Sequence, residues 1–149
     1  MPTYPIPEPF LALTGCFFLS PSLVAYQYDN TLTAYLSLLL CLTSIYYHST
    51  RLPIAYWLDQ IALYSVVVRG QVDGYYGGSK GLLIFYCAIG YNYIIYFSPL
   101  KHRFAFHPEK KIAALWHSSI HLVSSLGILS QQFTLTNSTV PREHGVHLQ

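Results

Sequence analysis

Charged residues are what this sequence has least of. They make up 9% of its 149 residues, about a third of the share usual in soluble domains, and they fall mostly between apolar runs. A water-facing globular exterior cannot be built from that supply. The formal net charge is only +2 and the cations are not clustered, which excludes nucleic acid as a partner on electrostatic grounds. Cysteine is equally sparse. Cys16, Cys41 and Cys87 each sit inside an apolar run; an odd number at such spacings gives neither a disulfide framework nor a zinc knuckle, and the three read as small buried hydrophobes. What the chain has in abundance is apolar surface, with 52% hydrophobic and 16% aromatic residues.

That apolar content is organised into runs at about 9–27, 31–50, 53–69, 80–98 and 111–130, followed by a polar tail over 131–149. Each run approaches the roughly 17–25 residues that cross about 30 Å of hydrocarbon at 1.5 Å per residue. The composition therefore predicts an all-α membrane protein, a single integral domain of about five transmembrane helices. The third run is interrupted by Asp59, and a helix carrying such a group has to turn it toward other helices. Breakers separate the runs: Asp29-Asn30, Pro53 at a helix start, Gly74 with Gly77-Gly78, and the segment from Pro99 to Pro108. The first run lacks a basic leader and a small-residue cleavage site and is read as a retained helix rather than a signal peptide.

Lysine and arginine are unequally shared between the two sides. Arg51, Lys101, Arg103, Lys110 and Lys111 fall on the side of the N-terminus, against Arg69, Lys80 and Arg142 on the other. The positive-inside bias places the N-terminus in the cytosol and the C-terminus outside or in a lumen, in an endomembrane or the plasma membrane. Asn137-Ser138-Thr139 is then a topologically reachable glycosylation sequon.

Polar groups inside apolar helices are costly, so the few present mark where function is to be sought. They are Ser44, His48, Asp59, His117 and His121. Ser37, Cys41, Ser44 and His48 recur at spacings of four and three, which puts them on one helix face. His117 and His121 are one turn apart, the spacing at which a helix presents two imidazoles to one ion, and Ser124 continues their face. The end of the second helix and the starts of the third and fifth share a side. His48 then lies about 6 Å below that boundary, Asp59 about 9 Å, and His117 and His121 about 9 and 15 Å. Three imidazoles in one layer, with a fourth position left to water, form a ligand set of catalytic zinc, and Asp59 is placed as base or supporting partner.

The pattern Ser44-x-x-x-His48, then Trp57-Leu58-Asp59, then Trp116-His117-x-x-x-His121 resembles the CREST superfamily of membrane metallohydrolases. That superfamily contains the alkaline ceramidases, the adiponectin and progestin receptors and the Per1-like remodelling factors. The resemblance covers about half of the chain. It implies zinc held by His48, His117 and His121, with Ser44 and Asp59 beside the metal's water, and a lipid substrate entering from the bilayer. Members of the superfamily have seven helices. Five here is a truncation by two crossings, which keeps the metal residues on one side and removes part of the cavity wall unless a second copy in a homo-oligomer or a partner supplies it. The acidic N-terminal cluster of alkaline ceramidases is represented only by Glu8.

These readings together give a zinc-dependent intramembrane hydrolase cleaving an amide or ester bond of a lipid. Two other classes compete with it. One is a membrane haem protein with axial histidines from two helices. The other is a receptor-like protein whose metal only braces the bundle, which calls for a fourth protein ligand, Asp59 included. Trp57, Trp116 and many of the tyrosines are read as interfacial belts and cavity walls. His102 and His107 lie in the connector on the metal side, where a solvated loop is favoured over a lid, and His144 and His147 lie in the tail on the opposite side.

Overall fold

A computed structural model describes residues 9–139. Glu8, Arg142, His144 and His147 lie outside the described residues. The described chain is all-helical, without strands, and forms five helices: α1 Pro9–Gln27, α2 Thr31–Thr50, α3 Pro53–Tyr76, α4 Gly78–Phe97 and α5 Lys110–Thr139. Three of them, α1, α4 and α5, are long and apolar enough to cross a membrane. The other two, α2 and α3, have spanning length, with 20 and 24 residues, and they carry Ser44, His48, Asp59, Arg69 and Asp73.

Local chemistry sets the breaks. Pro21 in α1 has no N–H, so the Phe17 carbonyl loses its helical donor. The chain tightens into a 3-10 turn over Cys16–Phe18, and the Phe17 carbonyl accepts instead from the Ser20 hydroxyl at 3.0 Å and the α5 hydroxyl of Ser125 at 2.7 Å. Asp29 and Arg51 take left-handed backbone angles (φ 59° and 56°) at the ends of α1 and α2. Leu52 is extended, as the residue before a proline prefers, and Pro53 occupies the first turn of α3. A π turn over Tyr93–Phe97 ends α4. Ser98 closes it by donating to the Ile94 carbonyl and accepting from the Leu100 N–H.

Three boundaries differ from the sequence-based expectation. Helix α3 runs on past residue 69 to Tyr76, because Arg69 and Asp73, one turn apart, pair at 2.7 Å and so remain inside the bundle. Gly74 is not a breaker: it lies in α3 where α4 crosses, and a Cβ on Gly81 would stand 2.7 Å from its carbonyl oxygen. The turn itself is made at Gly78, with φ +69°, a conformation glycine adopts without strain. The polar tail does not begin at 131, since α5 continues to Thr139 and buries Gln131 and Gln132. Asn137 of the sequon is exposed in this helix.

Helices α1, α2, α3 and α5 pack around a common axis, α1 against α2 and α5, and α3 against α2 and α5, while α4 fills the groove between α3 and α5. The backbones of α2 and α5 make no close approach, and the gap between them holds the site. The core is thin and built of small residues, with Ala25, Ala55 and Ala62 fully buried. Large apolar side chains face outward along every helix, among them Leu23, Leu42, Ile61, Leu83 and Leu126. Of the cysteines only Cys41 is buried; Cys16 and Cys87 are exposed on this same apolar exterior, on the outward faces of α1 and α4.

Candidate metal centre

On α2, the buried positions Ser37, Cys41, Ser44 and His48 form the single polar face that their spacing implies. On α5 the one-turn spacing aims His117 and His121 the same way. The three histidine rings meet across the gap between α2 and α5. His48 lies 5.0 Å from His117 and 5.3 Å from His121 between ring centroids, and His117 and His121 are 5.1 Å apart. One nitrogen from each falls within 4.8 Å of the others. His48 and His121 are buried and His117 is half-buried.

Two observations test whether such a set fits a metal. The Nδ1 of His48 is buried and has no hydrogen-bond partner among the described residues, a condition that costs about 1–3 kcal/mol unless something satisfies it. The second concerns His121. Thr14 donates its only hydroxyl hydrogen to the Leu11 carbonyl at 2.9 Å, so at 2.9 Å from His121 Nδ1 its oxygen acts as acceptor. That arrangement puts the ring proton on Nδ1 and leaves Nε2 as the lone-pair nitrogen. Three imidazole nitrogens with no thiolate suit zinc or a similar borderline divalent ion. Among the described residues the cluster has three members, and Asp59 is not one of them.

Asp59 and Ser44 line a cavity of about 310 Å³ together with His117 and His121. The Asp59 carboxylate accepts from the Thr43 hydroxyl at 3.4 Å. The rest of the lining is mainly aromatic and aliphatic, including Phe18, Tyr56, Tyr93, Tyr96 and Phe97. A smaller void of about 50 Å³ continues it along the bundle toward Phe85 and Gln131. Neither tryptophan reaches this wall. Trp57 is 54% exposed and Trp116 packs edge-on against Phe104, so the cavity-wall role falls to tyrosines and phenylalanines.

Thr14 and Asn92 escaped the sequence reading. Thr14 is 107 positions from its partner, in a helix whose own pattern carries no chemical signal. Asn92 donates to the Ala88 carbonyl and to Ser124, and its Oδ1 is buried beside the cavity without a partner among the described residues; a polar residue near the end of an apolar run was its only mark. Of the connector histidines, His107 lines a small void that shares His117 with the main cavity, whereas His102 is exposed.

Compared with family models, curated proteins and solved structures, the chain matches none.

Proposed function

We propose that this chain is a zinc-dependent hydrolase embedded in a membrane, a short member of the metallohydrolase superfamily that its histidine, serine and aspartate pattern resembles, acting on an amide or ester bond of a lipid. The observation that carries the reading is the convergence of His48, His117 and His121 beside an apolar cavity that His117, His121, Asp59 and Ser44 line. A metal held by the three imidazoles supplies Lewis acidity and an activated water. Asp59 accepts the proton that the attacking water gives up and passes it to the leaving group. Ser44, 1% exposed, donates its hydroxyl toward the oxygen that gains charge as the carbonyl is attacked.

Two further observations support this over its rivals. The three rings are in mutual contact at 5.0–5.3 Å, which leaves no slot between any two for a macrocycle, so haem fits poorly. The cluster offers three ligands and not four among the described residues, which favours an open metal position over a bracing role.

All five helices cross the bilayer in this reading, with the polar faces of α2 and α3 turned inward. Arg69 is held by Asp73 inside the bundle. The solvated cations at the metal end, Arg103, Lys110 and Lys111, are therefore set mainly against Lys80, which supports a cytosolic metal end and N-terminus. An impermeant label that reached a cysteine placed at His102 from outside intact cells would reverse that orientation.

The experiment is elemental analysis of the detergent-purified protein, with lipid profiling of cells that express it. Wild type contains one zinc per chain, and His117→Ala contains none and is inactive. Asp59→Asn keeps the metal and loses turnover. Stoichiometric zinc in His117→Ala, or identical lipid profiles for wild type and Asp59→Asn, would defeat the assignment.

A further inference from the structure

Three residues that line the main cavity are more than half exposed: Tyr64 at 60%, Tyr93 at 57% and Phe97 at 56%. All three belong to α3 or α4, while every lining residue from α1, α2 and α5 is buried or half-buried. The cavity therefore opens sideways, between α3 and α4. These two helices are in contact at the far end, where an added Cβ on Gly81 would stand 2.7 Å from the Gly74 carbonyl oxygen. Toward the histidine end the cavity lies between them, and a π turn over Tyr93–Phe97 sets Tyr93 and Phe97 at its rim. Such turns recur at functional sites. The flanks of the mouth belong to the apolar exterior, with Ile61 and Val68 exposed on α3 and Leu83 and Ile94 on α4.

The α3 wall of this cleft is a stripe at helical spacing: Tyr56, Gln60, Leu63 and Val67. Gln60 is the misfit in it. It is half-buried, next in sequence to Asp59 and about 10 Å along α3 from Pro53, which is the layer of the histidines. Its side-chain amide makes no hydrogen bond among the described residues. An amide carries two N–H donors and a carbonyl, and leaving them unpaired away from water is costly. A polar group of that kind in a helix surrounded by apolar residues marks a place where a ligand belongs.

We propose that the cleft between α3 and α4 binds one acyl chain of a bilayer lipid by its carbonyl, with the Gln60 amide N–H donating to the carbonyl oxygen and the chain lying along Leu63, Val67 and Ile89. Size selects this occupant. A cavity of about 310 Å³ is at the bottom of the usual range for ligand sites and takes one chain, whereas a helix about 10 Å across can do no more than cap the mouth. The chemistry agrees with the size, because a plain hydrocarbon leaves the Gln60 amide unpaired and an ester or amide carbonyl satisfies it. Treating the bound lipid as the substrate rests on the hydrolase reading above. The binding itself does not, and this lets the two be tested apart.

The test compares monododecanoylglycerol with dodecyl glyceryl ether, which differ by the carbonyl alone, each carrying a diazirine at the end of the chain. They are photo-crosslinked to the full chain in bicelles of ether-linked lipids, which bring no competing carbonyls, and the sites are mapped by mass spectrometry. Saturable labelling should fall on the cleft faces of α3 and α4, and the acyl probe should bind about three- to tenfold more tightly than the ether, as one hydrogen bond allows. Gln60→Leu should remove that difference. Val67→Trp, and from the opposite wall Ile89→Trp, should remove the saturable labelling by both probes with helical content unchanged, and Leu83→Trp, on the exposed face of α4, should leave it intact. Because a metal attracts carbonyl oxygen, the comparison is repeated after chelator treatment, where the acyl preference should persist and the ester stays uncleaved. Equal affinity for the two probes, a preference that Gln60→Leu leaves untouched, or one that vanishes with the metal would each overturn the proposal. So would labelling spread over the outer faces of all the helices, or chain-to-chain crosslinks at the mouth that exclude the probe and assign the cleft to a second copy. Wild type that lacks zinc but keeps the acyl preference would end the hydrolase reading and leave the cleft standing; turnover retained in both tryptophan variants would do the reverse.

Discussion

Thr14 spends its hydroxyl hydrogen on the Leu11 carbonyl, and the consequence falls on a ring in the last helix, where His121 must present Nδ1–H to the oxygen and keep Nε2 for a ligand. Supporting hydrogen bonds of this kind fix the tautomer and orientation of a metal-binding imidazole, and their loss costs about 10–100-fold in metal affinity. Thr14→Val keeps the volume and removes the acceptor. Zinc affinity measured by competition with a chelator should fall by about that factor, and Thr14→Ser should restore most of it. Thr14→Val with wild-type affinity would show that His121 is oriented by packing alone, against Phe18 at 5.7 Å. At this scale the sequence marks the three imidazoles that converge and gives no sign of what steadies them. His48, His117 and His121 stand out because imidazoles are expensive in apolar helices. A threonine that bonds back to its own helix is common in such segments, and nothing nearby in the chain marks Thr14 as different.

At the level of helices, the close crossing of α3 and α4 is what lets five segments enclose a site. Gly74 and Gly81 face each other so tightly that an added Cβ on Gly81 would be 2.7 Å from the Gly74 carbonyl oxygen, while a Cβ on Gly90 of the same helix would meet nothing within 4 Å. The two glycines should therefore respond in opposite directions. Gly81→Ala should destabilise by about 1–3 kcal/mol through overpacking. Gly90→Ala should stabilise by up to about 1 kcal/mol, since alanine is the better helix former. Thermal unfolding of both in one detergent checks this, and equal shifts would mean the crossing is looser than drawn. Read from sequence, Gly74 and Gly77-Gly78 look alike, as breakers. Only Gly78 has the positive φ that a turn demands; Gly74 is small because another backbone passes over it. Spacing along one helix cannot distinguish those two uses, because the second depends on a partner supplied by the fold.

Across the whole molecule, the histidine cluster and the chief polar tie of the bundle lie at opposite ends. Asp59 and Asp73 share one face of α3, fourteen residues or about 21 Å apart. At the far end Asp73 pairs with Arg69 at 2.7 Å and accepts from Thr33 at 2.7 Å and from Asn30 at 3.1 Å, while Asn30 also donates to Gln132. This network joins α2, α3 and α5 where no metal is needed. Sequence reading set Arg69 at the end of the third run among the charges of the far side, and Gln131 and Gln132 in a tail, because each is polar at the margin of an apolar stretch. Their mutual satisfaction in the folded chain reverses that reading. Folding and metal binding should then separate. Asp73→Ala leaves the Arg69 cation without its carboxylate in a mostly buried setting and should cost about 3 kcal/mol, with zinc content per folded chain close to wild type. Removing the metal with a chelator should leave helical content intact and most of the thermal stability in place, since three ligands at one end tie only α2 to α5. Unfolding scans and metal analysis on the same samples decide between this and the alternative. If chelation melts the bundle as Asp73→Ala does, the metal is part of the fold, and an open site for hydrolysis loses its main structural support.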